Sequence, residues 1–316
     1  MKIVVLSNAF GEVESFKAIK HIRVIHKMPC EVVECYDLQT ALDNISNADV
    51  ILIGSAGELW PTYWNNIADI ISQSSVPVGA FAVDSFRPVF WGDEKPIKLD
   101  LIITSLKFLY EIYQAKNYSC PYFWMPPSVE LYDSDVERDI DILVWGNNGL
   151  PSYGLRNYVI NLLESMNVSK VEPIDEVEYR TIRTGDIERR YALVPYRNTL
   201  YWGENIRSVI SRAKMCCTGS GGMNCVTGKY FENAACGTLT VSGWFTDMED
   251  LGFRHGENIW ITDKYNYHNS IDYLMHNLDY VAKMGLAAQK LIRERHTSEI
   301  RARELYTWLD KTIGGE

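Results

Sequence analysis

Between Cys216 and Trp244 the chain reads CCTGSGGMNCVTGKYFENAACGTLTVSGW: an apolar strand end, a glycine-rich loop, a short helix, a glycine stop and a second apolar strand. Strand–helix–strand order of this kind implies a parallel sheet with crossover connections. Thr227 reads as the N-cap, Lys229, Glu232 and Ala235 as helical, and Gly237 as the stop. Backbone N–H groups and the positive end of the helix dipole then face the loop, which suits phosphate. Lys229 and Glu232 stand three residues apart and so become neighbours on the helix surface. A cation for a diphosphate and a carboxylate for a ribose hydroxyl pair fit there, and the segment reads as a nucleotide site.

A P-loop is excluded. Gly228-Lys229 is followed by Tyr230 in place of Ser or Thr, and Met223 stands where the first glycine belongs. The competing reading is an ordinary strand–loop–helix in which Lys229 and Glu232 merely solvate one helix face.

Three motifs resemble the nucleotide-sugar site of group 1 glycosyltransferases of the GT-B fold, in particular their CgeB-like, spore-maturation-like branch. Glu232-Asn233-Ala234-Ala235-Cys236-Gly237-Thr238 resembles the E-x-x-A-C-G-T setting of the family's second motif glutamate, which binds the donor ribose. Arg254-His255-Gly256-Glu257-Asn258 before Ile259-Trp260-Ile261 resembles the h-G-E-N turn and strand. Arg295-His296-Thr297 followed by Arg301 resembles the terminal R-H-T-x-x-x-R. The family's first glutamate falls at Asn224, a departure that leaves the donor-sugar contact, and retention against inversion, open.

The resemblance implies two Rossmann-like α/β domains with parallel sheets facing across a cleft. Residues 1–127 form the acceptor-side domain, 128–297 the nucleotide-sugar domain, and 298–316 a terminal helix free to pack back on the first. The pattern of the chain agrees. Apolar strands are expected at Lys2–Ser7, Glu31–Tyr36, Ala48–Ser55, Val76–Val83 and Leu99–Ser105, alternating with helices at about 14–25, 38–45, 63–73 and 106–116. Pro126-Pro127 reads as the linker. Beyond it, strands are expected at Ile140–Trp145, Lys170–Pro173, Ala192–Pro195, Lys214–Thr218, Thr238–Ser242 and Asn258–Thr262. Helices are expected at about 154–166, 204–212, 228–236, 270–277, 278–295 and 298–311.

On these positions the resemblance implies a donor site of Asn147, Arg156, Tyr196, Gly222, Asn224, Thr227, Gly228, Lys229 and Glu232. Arg156 and Lys229 would neutralise the departing diphosphate, and Tyr196 would stack on the base. A solvated helix arginine is the plain alternative for Arg156, and a turn the alternative for Asn147. The acceptor side would be lined by Asn8, Phe10, Gly11, Ser55 and Trp60, with Asp84 as acceptor contact or general base. An N-cap aspartate and hydrophobic packing are the alternatives for Asp84 and Trp60.

The 316 residues carry a formal charge of −10, so no general attraction to nucleic acid or anionic membrane is expected. Arg180, Arg183, Arg189 and Arg190 are the local basic patch that could override that average. The seven cysteines include no C-x-x-C pair and read as buried thiols in a reducing compartment. No apolar run approaches a membrane span and none resembles a targeting segment, so the expected location is cytoplasmic. No metal-binding cluster is expected and no cofactor is implied; the nucleoside diphosphate sugar is a substrate.

The expectation is therefore metal-independent transfer of a sugar to the hydroxyl of a glycan or small molecule. Two rivals remain. One is a nucleotide-sugar-binding sensor or scaffold without turnover, and the other a transferase acting on a modified nucleic-acid base.

Overall fold

The computed structural model describes residues 1–6, 23–35, 38–53, 74–82, 99–108, 110–111, 120–132, 136–146, 154–169, 172–174, 177–184, 186–195, 204–220 and 224–314. The chain divides into two compact units, Met1–Ser128 with Ser298–Glu316, and Val129–Thr297.

The first unit holds a six-stranded sheet in the order β2-β1-β3-β4-β5-β6, parallel throughout. Its strands are β1 (Lys2–Leu6), β2 (Glu31–Cys35), β3 (Val50–Ile53), β4 (Val78–Ala82), β5 (Leu101–Thr104) and β6 (Tyr122–Trp124). Side chains alternate between faces. Ile3, Val5, Val50 and Leu52 point into one apolar cluster, while Val4, Leu6, Ile51 and Ile53 point into another with Ala41 of α1 (Leu38–Ile45). Both faces are thus covered, as a parallel sheet requires. The first cluster is closed by the last helix of the chain, Ser298–Gly314, through Ala302, Leu305 and Leu309. Trp308 of that helix stacks on Phe123 at 5.2 Å.

The second unit holds a seven-stranded sheet, β13-β12-β11-β7-β10-β9-β8. Its strands are β7 (Ile140–Gly146), β8 (Glu172–Ile174), β9 (Val177–Thr184), β10 (Ile187–Pro195), β11 (Ala213–Cys217), β12 (Leu239–Ser242) and β13 (Trp260–Ile261). Its helices are α2 (Gly154–Ser165), α3 (Glu204–Arg212), α4 (Gly228–Ala235), α5 (Tyr267–His276) and α6 (Leu278–Arg295); the helix Ser298–Gly314 of the first unit is α7. Ile142 and Val144 pack against α2, α5 and α6, while Leu143 and Trp145 pack against α3.

Three features depart from the sequence expectation. β6 was not anticipated, and the second sheet is not wholly parallel. β9 pairs antiparallel with both β10 and β8, so the edge of the sheet is a meander. The reason is legible in hindsight: VEYRTIRT carries Glu178, Arg180 and Arg183 among its apolar residues and lacks the continuous apolar run of a buried parallel strand. The expected basic patch lies on this meander, and three of its four arginines are ion-paired there. Arg180 meets Glu164 and Glu178, Arg183 meets Glu188, Arg190 meets Asp139, and Arg189 donates to the Met275 carbonyl.

Candidate functional site

β7 is the switch point of the second sheet. The chain leaves it toward β8, β9 and β10 on one side and returns by α3 to β11 on the other. At such a point α/β sheets leave a crevice for ligand at the C-terminal ends of the strands. Trp145 and Gly146 close β7 at this edge, and Thr218 and Gly219 follow β11.

Two cations are delivered to the crevice from different helices. Arg156, in the first turn of α2, is 1% exposed, and its Nη2 donates to Thr218 Oγ1 at 3.2 Å. That burial overturns the solvated-helix alternative. Lys229, in the first turn of α4, donates from Nζ to the Trp145 carbonyl at 3.2 Å and lies 3.5 Å from the centre of the indole ring. The two heads meet at Gly146, whose φ is +98°. A Cβ there would fall 1.8 Å from Lys229 Nζ and 3.7 Å from Arg156 Nη1. Only a residue without a side chain leaves that space to the ammonium.

The floor below is apolar and buried. Cys216 is fully buried, and burial pushes its thiol up to about 12 although the Lys229 and Arg156 charges act against the rise. Tyr230, on α4, shares a 2.6 Å hydroxyl hydrogen bond with Ser242, and burial drives its hydroxyl well above the ordinary range. Charges over such a floor are screened less than in water.

α4 begins as the loop pattern predicts, with one difference. Thr227 holds the N-cap position with extended backbone (φ −122°, ψ 160°), yet its side chain makes no capping hydrogen bond. Its Oγ1 is buried without a partner. The other end is fully capped: Gly237 (φ +68°) donates to the Ala234 carbonyl and Thr238 to that of Asn233, the two bonds of a Schellman motif. Gly228 opens the helix beside the loop, and Glu232 follows one turn later. Glu232 is only 5% exposed, so the expected surface neighbour of Lys229 is a buried carboxylate.

Asn224 lies exposed in the loop with φ 55°, where asparagine is better tolerated than most residues. Ser220 donates to its side-chain oxygen, and Thr246 donates from N and Oγ1 to its carbonyl. The structure thus brings Arg156 and Lys229 together at Gly146, with Thr227 and Gly228 at the start of α4 and Asn224 on the loop before it, while Glu232 is buried one turn further along α4. Asn147, Tyr196, Gly222, Asp84, Asn8, Phe10, Gly11, Ser55 and Trp60 lie outside the described residues. Sequence reasoning placed Trp145 and Gly146 at the end of a strand beside the crevice but gave no individual role to them, to Thr218 or to Asn233. Asn233 stands four residues after Lys229, a helical spacing that could have flagged it.

The two later motifs are scaffold. Asn258 braces the turn it closes, accepting from Arg254 N at 2.7 Å and donating to the Gly252 carbonyl at 3.0 Å. His296 bonds the Leu251 carbonyl through Nε2 at 2.8 Å and stacks on Phe253, while Arg295 donates to the Asp250 carbonyl. Among the described residues no group of three or more His, Cys, Asp or Glu could hold a metal ion, and no helix is long and apolar enough to cross a membrane.

Known proteins share this fold. Over its full length the chain superimposes on all of HepE from Anabaena, solved in complex with UDP-glucose, with a TM-score of 0.61 at 12% identity. Sucrose-phosphate synthase from Thermosynechococcus elongatus matches over 100% of both chains with a TM-score of 0.60 at 10% identity. The pneumococcal O-GlcNAc transferase GtfA, solved with UDP and GlcNAc, matches 84% of this chain and 57% of its own with a TM-score of 0.53 at 8% identity. At these identities the likeness establishes the fold, which is GT-B. A search of curated proteins returns no match. The profile of the glycosyl transferase-like family matches residues 138–307, more than half of the chain and all of the crevice just described, and the chain belongs to that family.

Proposed function

We propose that this protein moves a sugar from a nucleoside diphosphate sugar, with UDP the first nucleotide to test, to an acceptor hydroxyl. The observation that carries the reading is the convergence of Arg156 and Lys229 on Gly146 at the sheet's switch point. When the bond between the sugar and the diphosphate breaks, negative charge builds on the leaving phosphate. Two cations over an apolar floor, with the N-terminus of α4 beside them, stabilise that charge without reorganising. Glu232 accepts hydrogen bonds from the ribose hydroxyls, Tyr196 stacks on the base, and Asn147 and Gly222 border the phosphates. Asp84 is the base that an inverting transfer would need, with Asn8, Phe10, Gly11, Ser55 and Trp60 on the acceptor side.

The positive charge assembled here stands in for a divalent ion, so we infer metal-independent transfer; activity retained in excess chelator is the check. The Glu232–Thr238 motif motivates the narrower placement in the CgeB-like branch. Seven cysteines without a disulfide suit a reducing compartment, the cytoplasm. The likeness to structures holding UDP with glucose or GlcNAc supports UDP.

The experiment is a thermal-shift panel of UDP, GDP, ADP, CDP and dTDP with their sugar conjugates, on the protein and on Glu232→Ala. A ligand at a hundred times its dissociation constant adds about 2.7 kcal/mol of stability. Stabilisation by one nucleotide, lost in the variant, is the expected result. A folded protein that none of them stabilises would sink the reading. A second reading, binding without turnover, rests on Asn224 at the position of the family's first glutamate. Sugar-nucleotide hydrolysis or transfer, measured once the base is known, decides between them.

A further inference from the structure

We propose that Trp145 is the positioning residue of the donor site, holding the Lys229 ammonium in place before the diphosphate arrives. The inference rests on the reading of Lys229 as a diphosphate contact. A free lysine side chain gives up rotamer entropy when it is fixed, so a lysine that is already placed binds an anion at less cost.

The restraint can be followed atom by atom. Trp145 is 7% exposed and its indole Nε1 donates to Asn233 Oδ1 at 3.0 Å. Asn233 is wholly buried and is itself fixed, its Nδ2 donating to Thr240 Oγ1 on β12 at 3.1 Å. The ring plane is therefore set from its edge by a buried network whose members are paired at both ends. Against its face, at 3.5 Å from the centroid, lies Lys229 Nζ.

Lys229 and Asn233 are four apart on α4 and share one face of the helix. One helix thus grips the indole twice, by its edge through the amide and by its face through the ammonium. The Trp145 carbonyl, 3.2 Å from Nζ, adds a third restraint, and the missing Cβ of Gly146 supplies the room. An ammonium has three donors. One is engaged by the carbonyl, and one side of the head lies against the ring. The ammonium keeps this place when the anion binds, which separates a pre-set lysine from one merely parked on the ring.

The test is a double-mutant cycle read by calorimetry, using whichever of UDP, GDP, ADP, CDP and dTDP binds most tightly. The variants are Trp145→Leu, Trp145→Phe, Lys229→Met and the doubles. Phe keeps an aromatic face but loses the N–H, so both Trp145 variants leave Asn233 Oδ1 without its donor, and their difference isolates the face. A desolvated cation–π contact is worth up to about 2 kcal/mol, so Trp145→Leu should weaken binding by about three- to thirty-fold. Trp145→Phe should recover most of that loss, and the Trp145→Leu effect should vanish in the Lys229→Met background.

Equal losses in both backgrounds would make Trp145 a structural residue and overturn the inference while leaving the donor site intact. Tighter binding in Trp145→Leu would show that the ring parks the lysine away from the anion, which also overturns it. Unchanged affinity in Lys229→Met, or no binding by any nucleotide, would remove the diphosphate role of Lys229 and the inference with it.

Discussion

The helix α6 lies so close to the end of α4 that a Cβ at Gly285 would stand 2.2 Å from the Gly237 carbonyl oxygen. Gly285 sits inside an 18-residue helix, where alanine would normally be favoured by about 1 kcal/mol. The neighbour it would strike is backbone, already committed to the Schellman turn that ends α4. Contact between the two helices holds α4 against the sheet.

Gly285→Ala should therefore destabilise the protein by about 1–3 kcal/mol, because overpacking against a fixed backbone outweighs the gain in helix propensity. The urea midpoint of unfolding measures it. A more stable variant would mean that α6 can move away from α4 freely.

Gly146→Ala attacks the site itself. The new methyl collides with Lys229 Nζ, and φ +98° is strained for any residue with a side chain. Lys229 must leave, and the charge-assisted hydrogen bond proposed between it and the diphosphate goes with it. Loss of such a bond costs about 1.5–3 kcal/mol, so nucleoside diphosphate affinity should fall at least about ten-fold by calorimetry. Unchanged affinity in a folded variant would place the phosphates elsewhere.

Buried thiols set an alkaline limit. Burial raises Cys216 and Cys236 to about 12 in the folded chain. An unfolded thiol ionises near about 8.5. Between those values the folded state binds more protons, so stability is complete below about pH 8.5 and falls as pH rises. The expected slope is about 1.4 kcal/mol per pH unit for each such thiol until about pH 12. Urea titrations from pH 8 to 11 check the sign, and a flat profile contradicts it. In the folded protein at pH 8, only the half-buried Cys30 and Cys120 should be open to a thiol reagent.

Nucleic acid should not bind. The arginines of the β9–β10 hairpin, Arg180, Arg183 and Arg190, are engaged by carboxylates, and Arg189 by a carbonyl. Fluorescence anisotropy with a labelled duplex at 50 mM salt should show no association at micromolar protein. Binding that weakens steeply with salt would reopen the nucleic-acid acceptor.

The parallel strands of the second unit, its helices and the crevice segment were legible from the sequence, because buried parallel strands are continuous apolar runs and helix ends carry local signals. Gly237 is such a signal: its positive φ is decided by its own lack of a side chain. The β8–β9 meander was not legible, since Arg183 and Glu188 read as solvated charges until the antiparallel register sets them opposite each other. Glu232 shows the same limit. Its helical position follows from spacing, but its burial depends on what packs over it. The chain by itself determined that a cation and a carboxylate would stand at a helix start after a glycine-rich loop. Only the tertiary structure decided that Lys229 meets Arg156, Trp145 and Gly146 there. Those residues come from segments far apart in sequence, and no local propensity records a meeting that the sheet's strand order creates.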